Sequence, residues 1–355
     1  MLTQFQFTRV GRYVRGSAWA KVANGSFVLL DTEGRVLVKS EVEPVFFGRF
    51  ALITVDGKTR LVDESGRRSL PVEFDTFWFA GESVFGISRG GHAEIVDRNG
   101  RKLGSLISDP SSISEFHEGL AILLNAGRYG YIRKDGKFAI RPIFDDALPV
   151  SEGMAAVQCD GKWGYVCRSG KWAIHAQFDE ARSFHKGIAV VMRNRQYPKW
   201  SLIDRWGRQI GTECFDSVGR FQEGYAVASN RQRYGLIDLR GNWVIKPQYT
   251  KLKFIGPDKL KAARGAGEVG IIDCRGNAQV PLKYWDVSER TSCGLRWVQS
   301  SSDGCYGYVN EWGKLVIPCK FDDADDFDCG LGRVAVEAQE KWATGPDQWG
   351  EVGLY

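Results

Sequence analysis

The chain is built from short runs of apolar and polar residues. Around its middle, Ala155 to Val157, Trp163 to Val166 and Trp172 to Phe178 are rich in aromatic and β-branched side chains, and each run is bounded by Gly, Asp, Asn or Ser. Such runs predict strands, and three or four fit in each stretch of about 35 residues. The pattern then recurs. Segment 154–187 is copied in plan by 120–153 before it, and by the stretches that open at Tyr225 and Leu295 after it.

The most regular marker is one glycine per copy: Gly34, Gly66, Gly100, Gly136, Gly170, Gly207, Gly241, Gly276 and Gly313, spaced 32 to 37 residues apart. A fixed period of this size is the signature of a repeat architecture. Eight residues after the marker stands an aromatic in most copies: Phe74, Phe144, Phe178, Phe215, Tyr249, Tyr284 and Phe321. Six before it a second glycine recurs as Gly130, Gly164, Gly235, Gly270 and Gly307, and in the sixth copy Ser201 replaces it. A third set, Gly153, Gly187, Gly224 and Gly330, follows the marker by seventeen. Asp31, Asp63, Asp97 and Asp238 each stand three residues before a marker glycine. Asp first and Gly fourth is the chemistry of a type I hairpin turn closed by a glycine bulge. The glycine that follows Tyr129, Trp163, Tyr234 or Tyr306 is expected to let a neighbouring strand or ring approach the backbone.

The fold expected is all-β, with about ten repeats in a single domain, 1–355. Full units span about 17–49, 50–82, 83–119, 120–153, 154–187, 188–224, 225–259, 260–294 and 295–330. Phe7 aligns with Phe178 and Gly16 with Gly187, so the chain opens inside a unit, at its third strand. It ends on Val352 to Tyr355, which match Val269 to Ile272 in a second strand. Residues 1–16 and 331–355 together then make a tenth unit. A split unit is how a closed β-propeller joins its ends, whereas an open solenoid needs polar terminal caps. A closed propeller-like ring is therefore favoured, with an open solenoid or superhelical array as the alternative. Ten narrow sheets leave a wide centre, which suits a broad recognition surface better than a deep pocket.

Lys162 to Val166, Gly170-Lys171, Phe178 to Ala181 and Phe184 to Gly187 resemble the WG (KWG) repeat of bacterial proteins. The resemblance covers 120–330 well and 17–119 more weakly. It implies a β-rich scaffold and brings no catalytic residues with it. Some proteins of this kind sit beside secreted bacterial toxins, which implies an immunity role.

Composition changes this picture little. Apolar residues at 43% and charged residues at 26% are ordinary globular values. The abundance of Gly and aromatics resolves into turn glycines and packing rings. The net charge of +5 comes from 48 basic and 43 acidic residues spread along the chain, a solvated surface more than a nucleic-acid stripe. No apolar run approaches the length of a membrane span, and the first residues lack the apolar core of a secretory signal, so a cytoplasmic location is expected. Eight cysteines without a CxxC pair, and four scattered histidines (His92, His117, His175, His185), give no metal or redox motif. No cofactor is expected.

A search for chemistry finds no P-loop and no HExxH motif, and no βαβ pattern to hold a dinucleotide. Paired carboxylates such as Asp145-Asp146 and Asp322-Asp323 have the residue types for glycosidase chemistry. Since the first Asp follows the repeat aromatic in several units, it is better read as a turn residue. Departures from the repeat are more telling. Extra residues gather between the first and second strands, at Arg193 to Lys199, Gln299 to Cys305 and Glu337 to Trp349, and such loops share one rim of a repeat array. They supply Arg193, Arg195, Tyr197, Trp342, Asp347 and Trp349 as candidate partner-binding residues, of types common at interaction hot spots. The expected function is a non-enzymatic scaffold that binds a protein partner, in the sharper form an immunity protein that occludes a toxin. The alternative is a carbohydrate-binding or carbohydrate-active propeller protein. Neither nucleic acid nor membrane is an expected partner.

Overall fold

The local turns follow from their residues. In a computed structural model, which describes residues 7–10, 17–47, 50–63, 65–67, 74–82, 84–89, 92–106, 112–327, 332–336 and 350–351, strands Leu120–Asn125 and Arg128–Arg133 are joined by Ala126 and Gly127 at φ 49° and 74°. Asp160 and Gly161 join Met154–Cys159 to Lys162–Cys167 in the same way. Two consecutive positive φ values define the type I′ turn, whose twist matches that of the strands it connects.

The second and third strands meet at the Asp-x-x-Gly turn, and its chemistry is the one the sequence predicts. At Asp31 the Gly34 N–H donates to the Asp31 carbonyl and the Asp31 N–H to that of Arg35. The carboxylate Oδ1 meanwhile accepts from the N–H of Glu33 at 2.9 Å and of Arg35 at 2.8 Å. The same bonds recur at Asp63, Asp97 and Asp238, and also at Asp204, Asp273 and Asn310. Gly34 sits at φ 77°, the left-handed conformation that the bulge demands.

Most of the sheets are meanders of three strands preceded by a short fourth strand donated from the sequence unit before. Asp146–Ala147 pairs with Met154–Cys159, and Glu180–Ala181 pairs with Ala189–Met192. Sheet and sequence unit are therefore out of phase. Phe7–Val10, placed by alignment beside Phe178, serves as this short strand for Ser17–Val22. The third strand that a shared tenth unit needs falls on residues 1–6, and its second strand ends on 352–355. Both lie outside the described residues.

Two compact units divide the chain, Met1–Ala176 and Gln177–Tyr355. In the first, successive sheets contain strands within 7–40, 45–63, 76–105 and 120–144, and a fifth opens at Asp146–Ala147, its last strand, Trp172–Phe178, reaching the division between the units. In the second, two four-stranded sheets within 180–215 and 217–249 precede a seven-stranded sheet. That sheet forms because Ala278–Val287 runs on as one strand from one repeat into the next. A three-stranded sheet of 323–324, 333–335 and 350–351 follows.

The core is divided among neighbouring sheets. Leu120, Tyr131 and Phe144 pack against Ala155, Val157 and Val166 of the next repeat. Leu202 and Phe215 pack against Ala226, Ala228 and Ile237, and Leu236 and Tyr249 against Leu260 and Ile272. In these repeats the recurrent aromatic is thus a lid closed onto the following sheet.

Close approach explains the glycine before each central residue. A Cβ on Gly130 would lie 2.6 Å from the Ile140 carbonyl oxygen, and one on Gly235 2.3 Å from that of Ile245. Here the third strand bulges inward: Tyr129 faces Phe144 while Tyr131 faces Ile140, so two steps on one strand oppose four on the other. Beyond the glycine the Tyr131 and Tyr308 hydroxyls donate to the Leu148 and Asp325 carbonyls at 2.7 and 2.9 Å. Each ties its repeat to the segment that leads into the next.

Candidate functional site

Recurrent aspartates pin the connections between first and second strands in each unit. The Asp145 carboxylate pairs with Arg128 and accepts from the Gly161 N–H of the next turn at 3.4 Å. Asp216 pairs with Lys199 and accepts from the Arg231 N–H at 2.6 Å. Lys199 and the turn N–H hold the Asp216 carboxyl below its usual range. Asp145, the first member of one carboxylate pair, and Asp216, at the equivalent position before Ser217, are thus both engaged with turn backbone. Of the second members, Asp146 accepts from the Ala147 N–H at 2.7 Å and Asp323 from the Ala324 N–H at 2.9 Å.

Arg193 to Lys199 is the longest described connection of this set, between Ala189–Met192 and Trp200–Ile203. Its base is fixed by its own residues. The Arg193 guanidinium lies over the Phe178 ring, 4.8 Å from its centre, and donates to Gln177 Oε1 at 3.2 Å. The Arg195 N–H donates to Asp179 Oδ2 at 2.8 Å, and its guanidinium pairs with Glu180 at 2.9 Å. Tyr197 is the side chain that projects, at 69% exposure. The structure thus brings Arg193, Arg195 and Tyr197 into one loop, with the arginines as its anchors. Trp342, Asp347 and Trp349 lie outside the described residues.

A motif search that finds no GxSxG and no GxGxxG is incorrect, since one spacing of each kind is present, in a setting unlike that of the motif. Gly86-Ile-Ser88-Arg-Gly90 has the GxSxG order of a hydrolase elbow, but Ser88 sits within the antiparallel strand Val84–Arg89, opposite Ala93. Gly265-Ala-Gly267-Glu-Val-Gly270 has the order of a dinucleotide loop. It joins antiparallel strands Lys259–Ala263 and Val269–Ile272, with no helix to present a dipole to phosphate. Among the described residues no group of three metal-ligating side chains converges, and the described cysteines are unpaired. Burial pushes the Cys274 thiol up to about 12, while a hydrogen bond with the Ser169 hydroxyl at 3.1 Å draws Cys167 down.

The opposite edge of the sheets carries features that the repeat pattern did not flag. Trp206 and Trp312 occupy the third position of two Asp/Asn-x-x-Gly turns, 73% and 82% exposed. Only the first and fourth positions of that turn are fixed by geometry, so an indole at the third is the available signal. A second device is the glutamate before the turn glycine. Glu118 accepts from the N–H groups of Glu152 and Gly153, at 2.6 and 2.8 Å, in the equivalent turn one repeat on. Glu82 accepts from Gly119 in the same fashion.

An all-β repeat scaffold with loop-bearing edges is the class this architecture defines. Segments 129–163, 163–197, 234–255 and 306–342 match the WG containing repeat, and the chain therefore carries WG repeats at four places. No curated protein matches the sequence. Among solved structures, a eukaryotic initiation factor is similar at 13% identity over 78% of this chain and 87% of its own, with a TM-score of 0.43. BamB from Moraxella catarrhalis is similar at 11% identity over 83% and 91%, with a TM-score of 0.34. The C-terminal WD40 domain of Sif2 follows at 13% identity over 66% and 82%, with a TM-score of 0.28.

Proposed function

We propose that this chain is a non-enzymatic scaffold of the cytoplasm that binds another protein through the rim of first-to-second-strand loops. The observation that carries the reading is Tyr197, held out in solvent by a loop whose base is clamped by Arg193 on Phe178 and by Arg195 on Asp179 and Glu180. An exposed aromatic on a loop whose base is held in place, with no ring contact of its own among the described residues, suits an interaction hot spot. Trp342, Asp347 and Trp349 extend the proposed surface. The sharper form, motivated by the WG repeats, is an immunity protein that masks the active site of a bacterial toxin; masking needs a broad rigid face and no chemistry.

Affinity purification of the tagged chain from its native cells tests the reading. The expected result is a stoichiometric protein partner that is lost from Tyr197→Ala and from Trp349→Ala. Binding on a glycan array with no protein partner would turn the assignment to the carbohydrate class. A toxin encoded in the adjacent reading frame, neutralised by the wild-type chain and not by Tyr197→Ala, is the result expected of the immunity form.

A further inference from the structure

In the unit Gln177–Tyr355 four successive turns between second and third strands carry Trp206, Arg240, Arg275 and Trp312 at the same position. Each backbone N–H there donates to the turn's own Asp204, Asp238, Asp273 or Asn310 Oδ1, at 2.8 to 3.1 Å. The side chain plays no part in that bond. All four residues are exposed, and Arg208 lies over the Trp206 ring at 4.8 Å. The turns also form a row. Gly241 rests on Leu202 and Ile210, Gly276 on Ile245, and Gly313 on Gln279, so each turn packs against the third strand of the repeat before it.

Folding does not ask for these residues. At the same position in Met1–Ala176 stand Glu33, Ser65, Asn99, Asp135 and Ser169, in turns with the same glycine. Arg240 and Arg275, between them, make no ion pair among the described residues, although Arg275 favours the Asp273 carboxylate through space.

We propose that the row Trp206, Arg240, Arg275 and Trp312 is a docking site for an extended acidic segment of a partner protein, with carboxylates on the two guanidiniums and apolar side chains on the two indoles. Trp and Arg are the types that carry binding energy at protein interfaces, and Arg takes carboxylate in a bidentate fork. Charge balance favours peptide over nucleic acid. Arg240 and Arg275 stand between the indoles and Arg205, Arg208 and Lys314 beside them, but the carboxylates of Asp204, Asp238 and Asp273 and the exposed Glu311 lie in the same turns, which suits a segment with few carboxylates better than a strand charged at every nucleotide. The site is separate from the loop rim and does not depend on it.

The test is fluorescence polarisation of the full chain with a labelled peptide of alternating Glu and Phe, beside its Lys-for-Glu counterpart and labelled oligothymidylate. Trp206→Ser with Trp312→Ser, and Arg240→Glu with Arg275→Glu, place residues already found at this position in Ser65, Ser169 and Glu33, which keeps the fold intact. The expected result is saturable binding of the acidic peptide alone, weakened about tenfold or more by either pair of changes, reduced by salt, and unchanged by Tyr197→Ala. Equal affinity for the quadruple variant, tighter binding of oligothymidylate, or loss of binding in Tyr197→Ala alone would each overturn it.

Discussion

A Cβ on Gly164 would stand 2.6 Å from the carbonyl oxygen of Ile174, and from that contact much of the repeat follows. The third strand turns its backbone toward the middle strand there, because a bulge places more residues on the outer strand than on the inner one. The same approach recurs at Gly130, Gly235, Gly270 and Gly307. Ser201, the exception, shows how a side chain is admitted. In its sheet Trp200 faces Phe215 and Leu202 faces Ile210, so the surplus of the outer strand is all gathered opposite Ser201.

Gly164→Ala and Gly235→Ala are expected to destabilise by about 1–3 kcal/mol each, the range for forcing a methyl group into packed backbone. Ser201→Gly, lacking such a conflict, is expected to cost about 1 kcal/mol or less, through backbone entropy. Urea midpoints at constant slope measure all three. A Gly235→Ala midpoint equal to wild type would refute the close approach.

The buried hydroxyls predict an alkaline limit. Burial, with the charges of Asp325 and Asp326 nearby, raises Tyr308 to about 12, against about 10 in an unfolded chain. Its contribution is full below pH 10 and is lost as pH rises through 12, because only the folded state still holds the proton in that window. Tyr308→Phe should flatten the fall in stability between pH 10 and 12. At pH 7 it should cost about 1 kcal/mol, for the lost bond to the Asp325 carbonyl. Denaturant melts across that range give the slope.

The turn aspartates set the acid side. At Asp204 and Asp273 partial burial works against the carboxylate, but hydrogen bonds from Arg208 and Trp206, and from Asn277 and Arg275, outweigh it and hold both below their usual range. Their stabilisation is present above the unfolded value of about 4 and is lost as pH falls through the depressed folded values. Asn310 already makes the same turn without a charge. Asp204→Asn with Asp273→Asn should therefore keep neutral stability near wild type and weaken the loss below pH 4, as read by circular dichroism during acid titration.

Glu118 links two repeats through its carboxylate. Glu118→Ala should cost about 1 kcal/mol, as an exposed charged hydrogen bond, and should speed hydrogen exchange at the Glu152 and Gly153 amides. Glu118→Gln keeps an acceptor and should restore part of the protection. Uniform exchange in all three proteins would remove the link.

The sequence by itself determined the period, the all-β class, the type I turn with its glycine bulge, and the burial of Phe144, Phe178, Phe215 and Tyr249. These are local: a turn needs its own Asp and Gly, and a strand that buries one face shows it in its side chains. Tertiary structure decided what the residues do to one another across repeats. It moved Asp146–Ala147 and Glu180–Ala181 into the sheet that follows, gave the exposed Arg193 and Arg195 a part in holding their own loop, and joined two repeats through Ala278–Val287. It also set Trp206 and Trp312 in solvent, where composition had counted them among packing rings. A one-dimensional pattern reports which positions recur; whether a recurring side chain points at a neighbouring sheet, a turn amide or water depends on the register between strands that lie a whole repeat apart.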